Sequence, residues 1–156
     1  MQNKTNLRVN PLATKKCAIG ENLRNALFAE NYLKAAIIYR ATVSTGEEEK
    51  TYIGATEQTF KKRFLKHKDS ILKESLKSAT SLSKYVWELK KKGSSFSIKW
   101  SIVKKCALYR CGTRRCDVCL SEKLSILLEN KTNSIKKHFE LIKKCRHNNK
   151  DKLSSV

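Results

Sequence analysis

Two tyrosines thirteen residues apart, Tyr39 and Tyr52, precede an arginine and a histidine at helical spacing, Arg63 and His67. Much later a glutamate, Glu122, follows three residues after the pair Cys116-x-x-Cys119. Each of these residues has an ordinary reading on its own. A strand tyrosine is half-buried packing, an arginine among lysines is solvated, and a lone histidine is structural. Glu122 reads as a surface carboxylate, because Leu120, Leu124, Leu127 and Leu128 fall on the opposite side of its helix. Taken as an ordered set, the residues point to a hydrolytic site for phosphodiester bonds on a basic scaffold.

The bulk of the chain fits such a partner. Its 156 residues suffice for one core, and 40% hydrophobic content is enough for a modest globular domain. Thirty-four Lys and Arg against fourteen Asp and Glu leave +20, a field that attracts polyanions. Nucleic acid is the leading partner, since neutralised phosphates release counterions and give affinity independent of sequence. A membrane is not expected: no Trp/Phe-rich amphipathic helix is evident, and the apolar run near Ala35–Tyr39 is too short to span a bilayer.

The first residues lack the apolar stretch of a signal peptide, so a reducing compartment is expected, and with a DNA partner a nuclear one. There the six cysteines (Cys17, Cys106, Cys111, Cys116, Cys119 and Cys145) read as metal ligands or free thiols. The rival is a secreted, disulfide-stapled basic protein. Cys116-x-x-Cys119 with Cys145-x-His147 makes a tetrahedral zinc set, although C-x-H is tighter than finger spacing. Cys106 or Cys111 could substitute in it, and the competing reading is reduced thiols without metal.

The elements that must position these groups follow from periodicity. Residues 1–33 form an N-terminal extension with a weak helical pattern from Asn22 to Leu33. Ala35–Val43 reads as a strand with Ile37, Tyr39, Ala41 and Val43 on one face. Ser44–Lys50 is a polar turn, and Thr51–Ala55 closes an antiparallel hairpin with one tyrosine on each strand. Gly54 lets the chain leave that strand where a side chain would crowd it. A helix is expected from Thr56, as capping residue, to about Lys77, with Phe60, Phe64, Ile71 and Leu72 buried and Arg63 and His67 at the stripe's edge. Ser81–Lys92 is a second helix, stopped by Gly93. Ser95–Lys105 alternates as a strand with Phe96, Ile98, Trp100 and Ile102 on one face. Helices at about Leu120–Glu129 and Ile135–Cys145 complete an α+β domain, a small three-stranded antiparallel sheet flanked by helices, with a zinc-stapled C-terminal part. The tail 151–156 is expected to fray.

This order of elements, with its motifs, resembles the GIY-YIG endonuclease domain, most closely that of Penelope-like retroelements. The resemblance is carried by Ile38-Tyr39-Arg40-Ala41-Thr42-Val43, Thr51-Tyr52-Ile53-Gly54, Phe60-x-x-Arg63-Phe64-x-x-His67-Lys68 and Leu82-x-x-Tyr85-Val86-Trp87-Glu88-Leu89. It continues in Ile98-Lys99-Trp100-Ser101-Ile102, Cys116-x-x-Cys119-Leu120-Ser121-Glu122-Lys123-Leu124 and Glu140-x-x-x-x-Cys145-Arg146-His147, covering roughly residues 34–150. The zinc knuckle would span 116–147.

The resemblance implies that Glu122 is the sole protein ligand of a catalytic Mg²⁺ or Mn²⁺, which polarises the scissile phosphate and stabilises the departing oxyanion. It implies that Tyr39 and Tyr52 orient the attacking water and that one takes its proton. A phenol near its usual pKa of ~10 is a poor base unless cations lower it. Arg63 is expected to do so and to hold the phosphorane-like charge, and His67 to donate to phosphate or carry a proton.

Three departures stand out. The first motif reads Ile-Ile-Tyr in place of Gly-Ile-Tyr. Where relatives carry a Cys-Pro-Leu pattern, residues 26–32 carry no cysteine, so an N-terminal metal site is lost. Near Lys136 an asparagine supporting the site is expected, and Asn133 is out of register. No reverse transcriptase fits in this length, which suggests a detached domain, a truncated copy or a host-adopted gene. The expected function is metal-dependent DNA nicking, with contacts mostly to the phosphate backbone. The alternative is an eroded or domesticated DNA-binding module of the same fold. A basic structural protein would require the motifs to be accidental. Neither target site nor oligomeric state is legible.

Overall fold

A computed structural model describes residues 32–110, 116–136 and Cys145. The N-terminal extension up to residue 31, Cys17, Cys111, His147, most of the expected last helix and the tail lie outside the described residues. Within them the fold is α+β. Strands β1 (Ile37–Ser44) and β2 (Glu49–Thr56) are followed by α1 (Phe60–Leu72), a 3-10 turn (Glu74–Leu76) and α2 (Ser81–Lys91). Then come β3 (Ser97–Lys105) and α3 (Asp117–Leu128). The sheet is antiparallel in the order β2-β1-β3, so the first strand is central.

The position of β1 explains its composition. A strand covered on both faces is apolar nearly throughout, and Ile37, Ile38, Tyr39, Ala41 and Val43 are all buried. One face carries Ile37, Tyr39, Ala41 and Val43, as the alternation predicts, together with Tyr52, Ile98 and Trp100. Phe60, Phe64 and Ile71 of α1 and Leu82, Val86 and Leu89 of α2 pack on this face. The other face presents Ile38 and Ile53 to Val118 and Ile126 of α3, beside Cys106 and Cys116. The sheet is thus the middle layer of three, and β2 is an edge strand around which side chains from both faces can meet.

Local chemistry sets both ends of α2. Thr80 and Ser83 form a reciprocal capping box at the start of α2, with Ser83 N donating to Thr80 Oγ1 at 3.1 Å and Thr80 N to Ser83 Oγ at 2.9 Å. Gly93 ends that helix at φ +68°, in the left-handed region that glycine favours. The start of α1 differs from expectation. Thr56 still belongs to β2 and its hydroxyl bonds the Gln58 carbonyl at 3.2 Å, so the helix begins four residues later, after Thr59. Its regular turns end at Leu72, which is exposed.

The largest departure concerns α3. Leu120, Leu124, Leu127 and Leu128 are 52–78% exposed, whereas Val118, Ser121 and Ile126 are buried. The helix has apolar residues on two faces, and sequence periodicity selects the one with more leucines. The sheet instead receives Val118 and Ile126, at i and i+8. Glu122 sits between them at i+4, so its expected place on a solvent face is replaced by one on the packed side.

Candidate functional site

Tyr39 is fully buried at the centre of an aromatic cage, its ring 5.3 Å from Phe60 and 6.0 Å from Trp100. A β-bulge helps to aim it: the register between β1 and β3 shifts between Ile38 and Tyr39, leaving Val103 without a partner. Directly across the hairpin lies Gly54, and a Cβ there would stand 2.4 Å from both Cζ and Oη of the tyrosine. Gly54 therefore does not release the chain from the strand, as expected. It sits within β2 and makes room for the phenol.

The phenol oxygen joins α1 to the sheet. Arg63 Nε donates to Tyr39 Oη at 3.0 Å, and His67 Nε2 lies 2.8 Å from the same oxygen. Arg63 also bonds the Tyr52 hydroxyl. His67 lies within the buried stripe of α1, not at its edge: Phe60, Phe64, His67 and Ile71 all face the core. Its ring meets Tyr52 at 5.6 Å and Trp100 at 5.4 Å between centroids. Arg63, one turn earlier, reaches the stripe's margin and opens onto solvent.

Burial decides the protonation states. Desolvation pushes the Tyr39 phenol well above its ordinary value, and neighbouring Tyr52 adds to the effect. Arg63 and Lys136 pull the other way without offsetting burial, so the expected lowering by Arg63 does not prevail. His67 is held down to about 3, first by burial and then by the positive charges of Arg63 and Lys136. Burial also works against the Arg63 charge, but the two tyrosine oxygens outweigh it and raise its pKa. The result is a neutral phenol and imidazole beneath a secured guanidinium.

A depressed histidine is a statement about stability. Below about pH 6.5 the unfolded chain takes a proton that the folded chain refuses until about pH 3, so stability falls as pH falls through that window. The slope reaches at most about 1.4 kcal/mol per pH unit. Melting temperature measured from pH 7 to 5, above most carboxylate titrations, should drop in the wild type. His67→Gln should flatten that drop, and an unchanged pH dependence would contradict a buried neutral imidazole.

Glu122 completes the constellation from the other side of the sheet edge. Its Oε1 accepts from Lys136 Nζ at 2.5 Å, and that ammonium lies 5.2 Å from the Tyr52 ring centroid. Tyr52, Arg63, Glu122 and Lys136 line one cleft of about 730 Å³. Its charged walls comprise Arg63, Lys66, Lys84, Lys123 and Lys136 against Glu57 and Glu122. Tyr39 and His67 do not line the cleft: both are buried, Tyr39 bonded to Arg63 and His67 packed against the Tyr52 ring. All five residues singled out in the sequence are thereby brought together around β2.

No family model, curated protein or solved structure matches the chain. The geometry has to speak alone. It adds three residues that the sequence reading did not assign to the site: Trp100 as a wall of the cage, Gly54 as its clearance, and Lys136 as the partner of Glu122. Strand alternation put Trp100 on the right face, and Lys136 falls where the resemblance calls for a supporting asparagine, brought in by a strap along β2. Ile135 N donates to Thr51 O at 2.8 Å and Thr51 N to Asn133 O at 2.7 Å.

The described cysteines divide into two groups. The thiols of Cys116, Cys119 and Cys145 lie within 4.8 Å of one another and could hold a metal ion. Four ligands about 2.3 Å from a tetrahedral zinc would place sulfurs roughly 3.8 Å apart, a small adjustment from this cluster. Cys119 has its pKa raised by burial and then by bonds with Cys145 and Cys116, the state of crowded neutral thiols. Cys106 is buried beside Cys116 but is not in the cluster. Among the described residues, no helix is long and apolar enough to cross a membrane.

Proposed function

We propose that this protein is a divalent-metal-dependent DNA endonuclease of the GIY-YIG type, nicking one strand per site, in keeping with the Penelope-like resemblance of its motifs. The observation that carries the reading is that Tyr52, Arg63 and Glu122 line one basic cleft while Tyr39 and His67 lie buried against Arg63 and Tyr52, the five coming from two strands and two helices on opposite sheet faces. The cleft's excess of cations suits a phosphodiester backbone, and a nuclear location follows from a DNA partner.

Glu122 suits a hard cation. It is an oxygen donor already carrying a positive group, on an open cleft where water could supply further oxygen ligands. Bound there, Mg²⁺ or Mn²⁺ would supply Lewis-acid polarisation of the phosphate and neutralise the departing oxyanion. Arg63, charged and half-buried, holds the charge that develops at phosphorus. Tyr52, on the cleft wall, orients the water. Tyr39 stays protonated and acts by fixing Arg63, with the neutral His67 behind it receiving the phenol proton in a hydrogen bond. His67 does not touch phosphate in this scheme.

Zinc is assigned to Cys116, Cys119 and Cys145, with His147 as fourth ligand, fastening the start of α3 and hence Glu122. The purified protein should contain about one zinc per chain by elemental analysis. Chelation or Cys119→Ser should lower the melting temperature by about 10 °C or more. A metal-free protein with unchanged melting would remove this assignment.

One observation favours a second reading, a DNA-binding module without activity: Lys136 occupies an oxygen of Glu122. Nicking of supercoiled plasmid in Mg²⁺ and in Mn²⁺ separates the two. Both readings give salt-sensitive DNA binding, but only the first gives open circles.

A further inference from the structure

The cation on Glu122 belongs to the protein itself. The Lys136 side chain is 9% exposed and that of Glu122 26%, so the pair is partly withdrawn from water, where opposite charges attract more strongly than at the surface. The lysine is placed by its backbone. Beside the bonds that join 133 and 135 to Thr51, Lys50 Nζ donates to Thr132 O at 2.9 Å and Ser134 Oγ to Lys136 O at 3.1 Å. The strap is therefore tied to the outer edge of β2, and from this fixed backbone a flexible four-carbon stem carries the ammonium to Glu122 and the Tyr52 ring. Arg63 is within reach of the same field, since both cations act on Tyr39 and His67.

We propose that Lys136 competes with a divalent ion for the Glu122 carboxylate and, once displaced, turns its ammonium to a backbone phosphate beside Arg63. The proposal rests on Glu122 being the metal ligand. A carboxylate held most of the time by an internal cation shows an affinity for external cations reduced by the fraction of time it is free. Metal and phosphodiester then favour each other reciprocally: the ion frees Lys136 for the phosphate, and the phosphate draws Lys136 from the carboxylate.

Titration of the zinc-replete full chain with Mn²⁺, read from the paramagnetic resonance of the free aquo ion, tests the competition. Lys136→Gln is expected to tighten Mn²⁺ binding about tenfold. Lys136→Arg keeps a cation in place and should remain near wild type, and Glu122→Gln should lose the site. If Lys136→Gln binds as the wild type does while Glu122→Gln loses binding, the competition is overturned and the metal reading stands. If Glu122→Gln binds as the wild type does, both fall. Lys136→Met, with an unbranched stem and no donor, repeats the comparison should the glutamine variant melt early by circular dichroism. The phosphate half is read by fluorescence anisotropy of a labelled duplex. Ca²⁺ should tighten wild-type binding about fivefold and Lys136→Gln binding by much less, whereas equal tightening in both overturns it.

Discussion

Glu122→Ala is expected to reduce conversion of supercoiled plasmid to open circle by about 10²–10³-fold or more, a loss comparable to removing a principal source of transition-state charge stabilisation. Duplex binding should persist and even tighten, because the substitution removes a negative charge from a wall that also carries five cations. The comparison is informative because of where the residue sits. Glu122 faces the cleft but is not itself fully buried, so its removal leaves the packing of Val118 and Ile126 intact. Arg63→Ala prepared in parallel should lose nicking to a similar degree. It should also leave the Tyr39 hydroxyl without one donor, lowering stability by about 1–2 kcal/mol. A wild type that binds duplex but opens no plasmid in either metal would make the binding-module reading the right one.

Gly54→Ala should destabilise the domain by about 3 kcal/mol or more and abolish the site's geometry, measured as a shift in the urea midpoint and loss of near-ultraviolet circular dichroism. The sign is opposite to the general expectation. Alanine in a strand interior is usually better than glycine by about 0.5–1 kcal/mol. Here the new methyl would stand 2.4 Å from the end of the Tyr39 ring. A side-chain terminus can often give way, but this ring is fully buried, bonded to Arg63 and His67, and walled by Phe60 and Trp100. Gly46→Ala supplies the control, because nothing lies within 4 Å of its added Cβ, and it should stay within about 0.5 kcal/mol of wild type. Equal stability of the two variants would show that the cage yields more easily than its packing suggests.

The hairpin and its two tyrosines were legible because a strand's period of two is a local property. Ile37, Tyr39, Ala41 and Val43 share a face whatever the sheet packs against. The end of α2 was legible for the same kind of reason, since Gly93 acts within a few positions of the chain. The start of α1 was not. Thr56 has the hydroxyl of a helix cap, but its backbone is paired with Ile37 in the sheet, and ladder hydrogen bonds outweigh a capping preference.

Composition and spacing alone determined that this is a basic α+β chain with tyrosines on adjacent strands, Arg63 and His67 on one helix, and a cysteine pair ahead of Glu122. Tertiary structure decided what those residues can do. It turned α3 so that the sheet receives Val118 and Ile126, which carried Glu122 into the cleft against the weight of four leucines. It buried His67 and Tyr39 deeply enough to keep both neutral, and it brought Lys136 to Glu122 by pairing a strap with the edge of β2. The division has a physical cause. Periodicity and capping depend on neighbours in sequence, whereas the choice between two apolar helix faces, desolvation and a contact between residues 122 and 136 depend on what the packed sheet edge places beside them.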